Sequence, residues 1–210
     1  FLQSHGGVAH AEEVLRVPVR TLMSGPSAGP AVATYFSRLA GSEDAICIDM
    51  GGTSFDASMV SGGKTRLSRP VEVDGVRIGL PMVDIKSVGG GGGSIAWVDT
   101  GILRVGPSSA GAVPGPASYG LGGTQATVTD ANLLLGVYEA GQISGGLTLK
   151  TDLAKSALSQ VGIDIGIESE AAATGVLRVL NIDLAQTVRD ITVAEGRDPR
   201  DYALVVGGGS

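Results

Sequence analysis

The 210-residue sequence contains a single cysteine, Cys47, and two histidines, His5 and His10. One cysteine excludes an internal disulfide framework and a four-cysteine zinc site. Because Cys47 lies in the apolar run 45–48, which predicts a strand, we interpret it as a small buried residue. The two histidines lack a third ligand at a suitable spacing, so they do not predict a metal site.

The sequence also lacks a surplus of positive charge, a run of like charges and a long apolar stretch. Its formal net charge is −6 at pH 7, which argues against binding to nucleic acid or to an anionic membrane surface. No segment approaches the ~20 apolar residues of a membrane-spanning helix, and the first residues do not show the pattern of a signal peptide. We therefore expect a cytoplasmic protein with neither a nucleic-acid partner nor a membrane partner.

Length and apolar content are those of a folded domain. The chain has 210 residues and is 43% hydrophobic, which is enough to bury a core in one domain. It begins without methionine and ends on Gly207, Gly208, Gly209 and Ser210. We interpret both ends as cuts through a longer protein. We expect one domain over 1–210, with a glycine- and proline-rich insertion at about 71–128.

Glycine is the residue in excess: the chain has 34, about twice the usual ~7%. The glycines are not periodic, which excludes collagen. They cluster between apolar segments, where clustered glycines indicate sharp turns or a close approach of backbone to a ligand. Five of them, at 89–93, precede Ser94 and form either an anion-binding nest or a flexible loop.

Hydrophobic spacing predicts a layered α/β fold. Residues 45–69 have the pattern of a three-stranded antiparallel meander, followed later by helices and by a final strand that ends in glycines. The predicted strands are a short edge strand at 17–23, the meander strands 45–49, 55–60 and 65–69, and a buried strand at 202–206. The predicted helices are 31–40, with Ser24 as its cap, a helix with Thr129 or Asp130 as its cap, and helices at 151–161 and 168–194.

The segment 49–56, Asp-Met-Gly-Gly-Thr-Ser-Phe-Asp, carries the strongest chemical signal. An apolar strand leads to Asp49, and the two glycines that follow leave backbone N–H groups open to an anion. Thr53 adds a hydroxyl donor, and Asp56 returns on the second strand. A nucleotide site needs hydrogen-bond donors for the phosphate oxygens and carboxylates for a divalent cation, and this segment has both. An ordinary β-hairpin with a glycine turn has the same pattern.

This segment resembles the phosphate hairpin of the actin, sugar-kinase and heat-shock ATPase superfamily. Nearly the whole chain resembles the hydantoinase A / 5-oxoprolinase family in particular. The motifs that carry the resemblance, in chain order, are Ser24-Gly25-Pro26 and residues 49–56, 91–99, 104–111, 114–120, 122–123, 127–133 and 197–200.

The resemblance implies a fold and a set of site residues. It implies an α/β, ribonuclease-H-like half of an actin-like ATPase, in which a mixed sheet contains the meander and helices flank it. ATP and Mg²⁺, or another divalent cation, are the implied cofactors. Phosphate would bind Gly51, Gly52 and Thr53, and Asp49 and Asp56 would act in catalysis by positioning the metal or the attacking water. The implied metal ligands are Asp49 and Asp130.

Two of the assignments that the resemblance implies have alternatives. Gly207, Gly208 and Gly209 resemble the adenosine-contacting glycine turn, but the family usually has a phenylalanine before these glycines and a proline after them. Asp130 follows a long loop and opens a predicted helix, so it is either a cation or substrate ligand or a plain helix cap.

Three functions are consistent with the motifs. The first is ATP-dependent hydrolysis of a cyclic amide, a hydantoin or 5-oxoproline, through phosphorylation of the amide oxygen. The second is a subunit of an ATP-dependent ketone carboxylase, and the third is a nucleotide-binding or assembly domain without turnover. The resemblance also implies a hydantoinase B-type subunit or domain as partner.

Overall fold

A computed structural model describes residues 1–68, 71–73, 75–141 and 146–209, and it has a mixed α/β fold. The α-helices are α1 (Ala11–Arg16), α2 (Ala28–Leu39), α3 (Val128–Leu134), α4 (Thr151–Ile165) and α5 (Ser169–Thr192). The strands are β1 (Ala45–Met50), β2 (Phe55–Ser61), β3 (Lys64–Thr65), β4 (Leu67–Ser68), β5 (Val71–Val73), β6 (Val76–Ile78), β7 (Met82–Val83), β8 (Ile85–Val88), β9 (Ser94–Asp99), β10 (Ile102–Ser109) and β11 (Ala203–Gly208). In this described part of the chain, no helix has the length and apolarity needed to span a membrane.

The chain divides into two compact units. The first unit contains Phe1–Asp49, Asp56–Ser87 and Thr187–Gly207. The second unit contains Met50–Phe55, Val88–Gln186 and Gly208–Ser210, so most of the glycine-rich sequence belongs to it.

A mixed sheet forms the centre of the first unit. Strands β11, β1, β2 and β3 lie side by side in that order, and β8 pairs with β2. The four residues between β1 and β2 make these strands antiparallel, whereas β11 runs in the same direction as β1: the Ala203 N–H donates to the Asp44 carbonyl, and Gly207 lies beside Asp49. Ala33 of α2 packs against Cys47 and Val60 in the core of the unit.

The predicted meander is confirmed, but its third strand is shorter than expected. Within the predicted third strand, the part that pairs with β2 is β3, through Thr65 with Val60 and Lys64 with Ser61. The next strand, β4, pairs with β7 instead. Residue 69, the last of the predicted third strand, lies outside the described residues. The predicted edge strand at 17–23 is wrong, because a 3₁₀-helix occupies Pro18–Thr21. Proline suits the start of a helix, where its missing N–H has no partner to lose.

The last strand is found where the sequence predicts it, but only one of its faces is buried. Ala203 and Val205 pack against the core, whereas Leu204 is 58% exposed and Val206 is 68% exposed. Alternate residues of a strand point to opposite faces, so a run of apolar residues does not by itself place a strand in the interior. The prediction of a fully buried strand is therefore wrong.

The second unit packs the β9–β10 hairpin with α3, α4 and α5 around an apolar cluster. The cluster includes Leu158 of α4 and Val176 of α5, both fully buried. The predicted helices at 151–161 and 168–194 are confirmed, with ends that differ by a few residues. Gly166 ends α4 at a φ of +74°, which is the left-handed cap that glycine adopts without strain.

We expect Leu158→Ala to lower the free energy of unfolding by about 2–5 kcal/mol, since it leaves a cavity in this cluster. Ile163→Ala on the same helix is the control: Ile163 is 72% exposed, so its truncation should change stability by less than ~0.5 kcal/mol. Chemical denaturation of both variants measures the difference, and equal effects would contradict the assignment of the core.

Candidate phosphate-binding site

The turn at 51–54 contains one internal hydrogen bond and leaves two amides and one hydroxyl without an acceptor among the described residues. Within the second unit, the Gly51 N–H donates to the Ser54 carbonyl at 3.0 Å. Gly52 and Thr53 are exposed, and neither their amides nor the Thr53 hydroxyl has an acceptor among the described residues. Two adjacent free N–H groups and a hydroxyl form a set of donors that suits phosphate oxygens.

The glycine tract at 91–93 holds this turn from the carbonyl side. The Gly92 N–H donates to the Gly51 carbonyl at 3.0 Å, and the Gly93 N–H donates to the Gly52 carbonyl at 2.6 Å. The Gly91 N–H donates to Ser94 Oγ at 2.9 Å. Since these amides have protein acceptors, the hypothesis of an anion nest in the tract is wrong for Gly91–Gly93. The tract instead engages the carbonyls of the turn, while the amides of Gly52 and Thr53 stay free.

Only glycine fits at two positions of the tract. A Cβ on Gly91 would lie 2.5 Å from the Gly51 carbonyl oxygen and 2.6 Å from the Thr53 nitrogen. A Cβ on Gly93 would lie 2.9 Å from the Gly52 carbonyl oxygen. These atoms are backbone, which does not move aside as a flexible side chain does, so the two backbones approach this closely only without side chains.

The start of α3 fixes the tract in turn. Thr129 donates to the Gly92 carbonyl twice, through its N–H at 2.7 Å and its hydroxyl at 2.9 Å. Helix α3 begins at Val128 with Thr127 as its N-cap, so the prediction of Thr129 or Asp130 as the cap is wrong. Thr127 and Asp130 form a capping box, in which each side chain binds the backbone N–H of the other residue.

Asp130 holds a loop in the second unit. Its carboxylate is fully buried and accepts four hydrogen bonds. The donors are the Ala117 N–H at 3.2 Å, the Ser118 N–H at 2.7 Å, and the N–H and hydroxyl of Thr127, both at 2.8 Å. These bonds tie the glycine- and proline-rich loop to the start of α3 and occupy both carboxylate oxygens. The metal role implied for Asp130 stays a prediction.

The two other predicted carboxylates belong to the first unit. Asp49 is half-buried near the end of β1 and accepts no hydrogen bond from the described residues. Asp56, near the start of β2, accepts a hydrogen bond from the Ser87 hydroxyl. Cys47 is buried, as the sequence predicts. Burial raises the pKa of its thiol, and the charge of Asp49 raises this pKa further.

The predicted adenosine-contacting glycines are exposed at the end of the chain. Gly207 and Gly208 are the last residues of β11, and Gly209 follows the strand. Gly208 has a φ of +98°, and a Cβ there would lie 2.0 Å from the Met50 carbonyl oxygen. A side chain at Gly208 would therefore collide with the backbone that leads into the 51–54 turn. Adenosine contact at these glycines stays a prediction.

In the described ranges of the chain, no three His, Cys, Asp or Glu side chains lie close enough together to hold a metal ion. A metal centre built from protein ligands alone is thus not among the sites described. Mg²⁺ more usually takes one or two carboxylates and completes its shell with phosphate oxygens and water.

We expect Gly91→Ala to lower the free energy of unfolding by about 1–3 kcal/mol, because the added methyl collides with the turn backbone. Gly79→Ala is the matched control, since a Cβ there meets nothing within 4 Å. Denaturant titration of both variants measures the difference. A Gly91→Ala protein as stable as the control would contradict the close approach of tract and turn.

Comparison with known proteins identifies the family of the chain. The sequence model of the hydantoinase/oxoprolinase family matches residues 1–210. The caprolactamase subunit alpha of Pseudomonas jessenii is 40% identical over 213 residues, which cover 100% of this chain and 31% of that subunit.

Two solved structures are similar to the chain. The ATP-dependent caprolactamase from Pseudomonas jessenii matches with a TM-score of 0.83 and 40% identity, over 90% of this chain and 28% of that one. A nucleotide-free structure of acetone carboxylase, from work on ATP-dependent acetone carboxylation, matches with a TM-score of 0.84 and 28% identity, over 97% of this chain and 29% of that one. The chain thus spans about three tenths of the length of these relatives. With a match over its full length, the chain belongs to the hydantoinase/oxoprolinase family.

Proposed function

We propose that this chain forms part of an ATP-dependent enzyme that hydrolyses a cyclic amide, such as a hydantoin, 5-oxoproline or a lactam. The proposal combines two findings. The chain belongs to the hydantoinase/oxoprolinase family, and its solved relatives include an ATP-dependent caprolactamase. An amide is a poor electrophile, and transfer of a phosphoryl group from ATP to the amide oxygen, with release of ADP, makes the amide carbon a good one. Attack by water on this carbon would then break the ring C–N bond and leave an acyl phosphate, which a second water would hydrolyse to the free acid and phosphate.

The exposed turn at 51–54 is the observation that carries the proposal. Its free Gly52 and Thr53 amides and the Thr53 hydroxyl are donors without an acceptor among the described residues. Donors that are already in place stabilise negative charge on a transferring phosphoryl group without the cost of reorganising the site. The Gly51 amide closes the turn on Ser54, so its role in this proposal is to keep the neighbouring amides in position.

The roles proposed for the carboxylates follow from their positions in the chain. Asp49 precedes the turn on β1 and has no hydrogen bond from the described residues, so it is proposed to hold Mg²⁺ through a carboxylate oxygen. Mg²⁺ would neutralise phosphate charge during transfer. Asp56 follows the turn and is proposed to orient the attacking water, with the Ser87 hydroxyl fixing its carboxylate.

We also propose that the chain is a ribonuclease-H-like half of an actin-like ATPase. The mixed sheet with β11 beside β1 and with the β1–β2–β3 meander is consistent with a ribonuclease-H-like half of an actin-like ATPase. In that fold the turn at 51–54 would be the second phosphate element, and the first would lie in a part of the longer polypeptide that this chain does not include. A hydantoinase B-type partner is proposed because the similar caprolactamase chain is named a subunit.

Ketone carboxylation is the second candidate, and it is supported by the structural match to acetone carboxylase. Both reactions would use ATP to phosphorylate an oxygen atom, so the phosphate site does not distinguish between them. Release of phosphate by the full-length polypeptide, with its partner subunit, would distinguish them: cyclic amides alone stimulate it in a hydrolase, whereas a ketone together with bicarbonate stimulates it in a carboxylase.

We expect Asp49→Asn to abolish substrate-dependent phosphate release by the full-length polypeptide while its unfolding midpoint stays close to that of the unchanged protein. The substitution removes the proposed metal-binding charge but keeps the shape of the side chain. Asp201→Asn is the control, since Asp201 is exposed and lies outside the proposed site. Normal phosphate release by the Asp49→Asn protein would rule out the metal role of Asp49.

A further inference from the structure

A cavity of about 550 Å³ in the first unit lies among residues that the proposed phosphate site does not use. Its size is within the range of small-molecule sites, roughly 300–1,000 Å³. Val8, Leu80 and Pro81 supply apolar surface, and Glu13 and Arg20 supply charge. Gln3, Ser4 and His5 complete the lining.

Gln3 is held firmly through its backbone. Its N–H donates to the Gly7 carbonyl at 2.7 Å, and its own carbonyl accepts from the Gly6 N–H at 2.9 Å and from Ser27 Oγ at 3.0 Å. The residue is only 4% exposed. Its backbone is thus fixed, and the residue lies in the interior of the unit.

The carboxamide of Gln3 has no hydrogen-bond partner among the described residues. Among the described residues, the side-chain nitrogen and oxygen atoms that are sealed from solvent all have a partner except Ser118 Oγ. The unpaired oxygen and nitrogen of the Gln3 carboxamide therefore keep some contact with solvent. Since Gln3 lines the cavity, the small exposed part of this residue is its carboxamide, which faces the cavity. A ligand in the cavity can therefore pair with this carboxamide in place of water.

The other polar groups in the lining already have partners or lie at the surface. The Ser4 hydroxyl donates to the carbonyls of Arg20 and Leu22. Arg20 and Glu13 form an ion pair with 2.8 Å between Nη1 and Oε1, so their charges balance. His5 is exposed. Gln3 therefore provides the buried donor and acceptor that remain free, and this favours a neutral ligand.

We propose that this cavity binds a cyclic amide, and that Gln3 recognises the ring amide. A carboxamide presents a C=O and an N–H side by side. A ring forces its own amide to be cis, so that its N–H and C=O also lie side by side and can pair with Gln3 through two hydrogen bonds. The ring methylenes would contact Val8, Leu80 and Pro81. The choice of a cyclic amide over other neutral ligands rests on the proposed function.

The test is calorimetric titration of the full-length polypeptide with 2-pyrrolidinone in the absence of nucleotide. We expect binding that weakens at least tenfold in Gln3→Met, which keeps the length of the side chain and removes both hydrogen-bonding groups. N-methyl-2-pyrrolidinone, which lacks the N–H and can form only one of the two hydrogen bonds, should bind the unchanged protein more weakly than 2-pyrrolidinone and lose less affinity in Gln3→Met. Gln125→Met is the control, because Gln125 is exposed and its carboxamide has no partner among the described residues.

A purely structural role for Gln3 predicts a different result. An unpaired carboxamide contributes little to stability, so the unfolding midpoint should not fall in Gln3→Met, whereas a structural residue would lower it. Absence of 2-pyrrolidinone binding, or equal binding by Gln3→Met, would overturn the site and leave the phosphate-release test of the proposed function untouched. Binding that depends on Gln3 without any amide-stimulated phosphate release would support the site and reject the proposed function.

Discussion

The candidate site depends on the close approach of two stretches of backbone, the turn at 51–54 and the glycine tract at 91–93. Two hydrogen bonds, from the Gly92 and Gly93 amides to the Gly51 and Gly52 carbonyls, join them. These bonds use the carbonyls of the turn and leave the Gly52 and Thr53 amides without an acceptor among the described residues, and the absence of side chains permits them. Helix α3 then fixes the tract through Thr129, so the geometry of the turn is set by segments far from it in the chain.

Local patterns in the sequence are sufficient for much of the fold. Apolar spacing predicts α4 and α5, and the turn residues between short apolar runs predict the β1–β2–β3 meander. The failures arise where tertiary contacts decide. The predicted edge strand at 17–23 is a 3₁₀-helix, and the apolar run in β11 turns Leu204 and Val206 to the surface because a strand buries alternate residues.

The sequence predicts the chemistry of the candidate site but not the contacts that hold its turn in place. A strand, two glycines, a threonine and flanking carboxylates indicate phosphate binding without structural information. The role of Gly91 and Gly93 was not predictable, because a run of glycines signals close approach without naming the atoms approached. Asp130 has the sequence position of a helix cap or a ligand, and only the fold shows that four donors from a distant loop and the helix start bind its carboxylate.

The central claim is that the amides of Gly52 and Thr53 bind the phosphate of a nucleotide. The most direct measurement is a crystal structure of the full-length polypeptide with Mg²⁺ and a non-hydrolysable ATP analogue. The account predicts phosphate oxygens at hydrogen-bond distance, about 3 Å, from both amide nitrogens, with the Gly92 and Gly93 bonds to the turn unchanged. Nucleotide bound elsewhere, with both amides still lacking an acceptor, would contradict it.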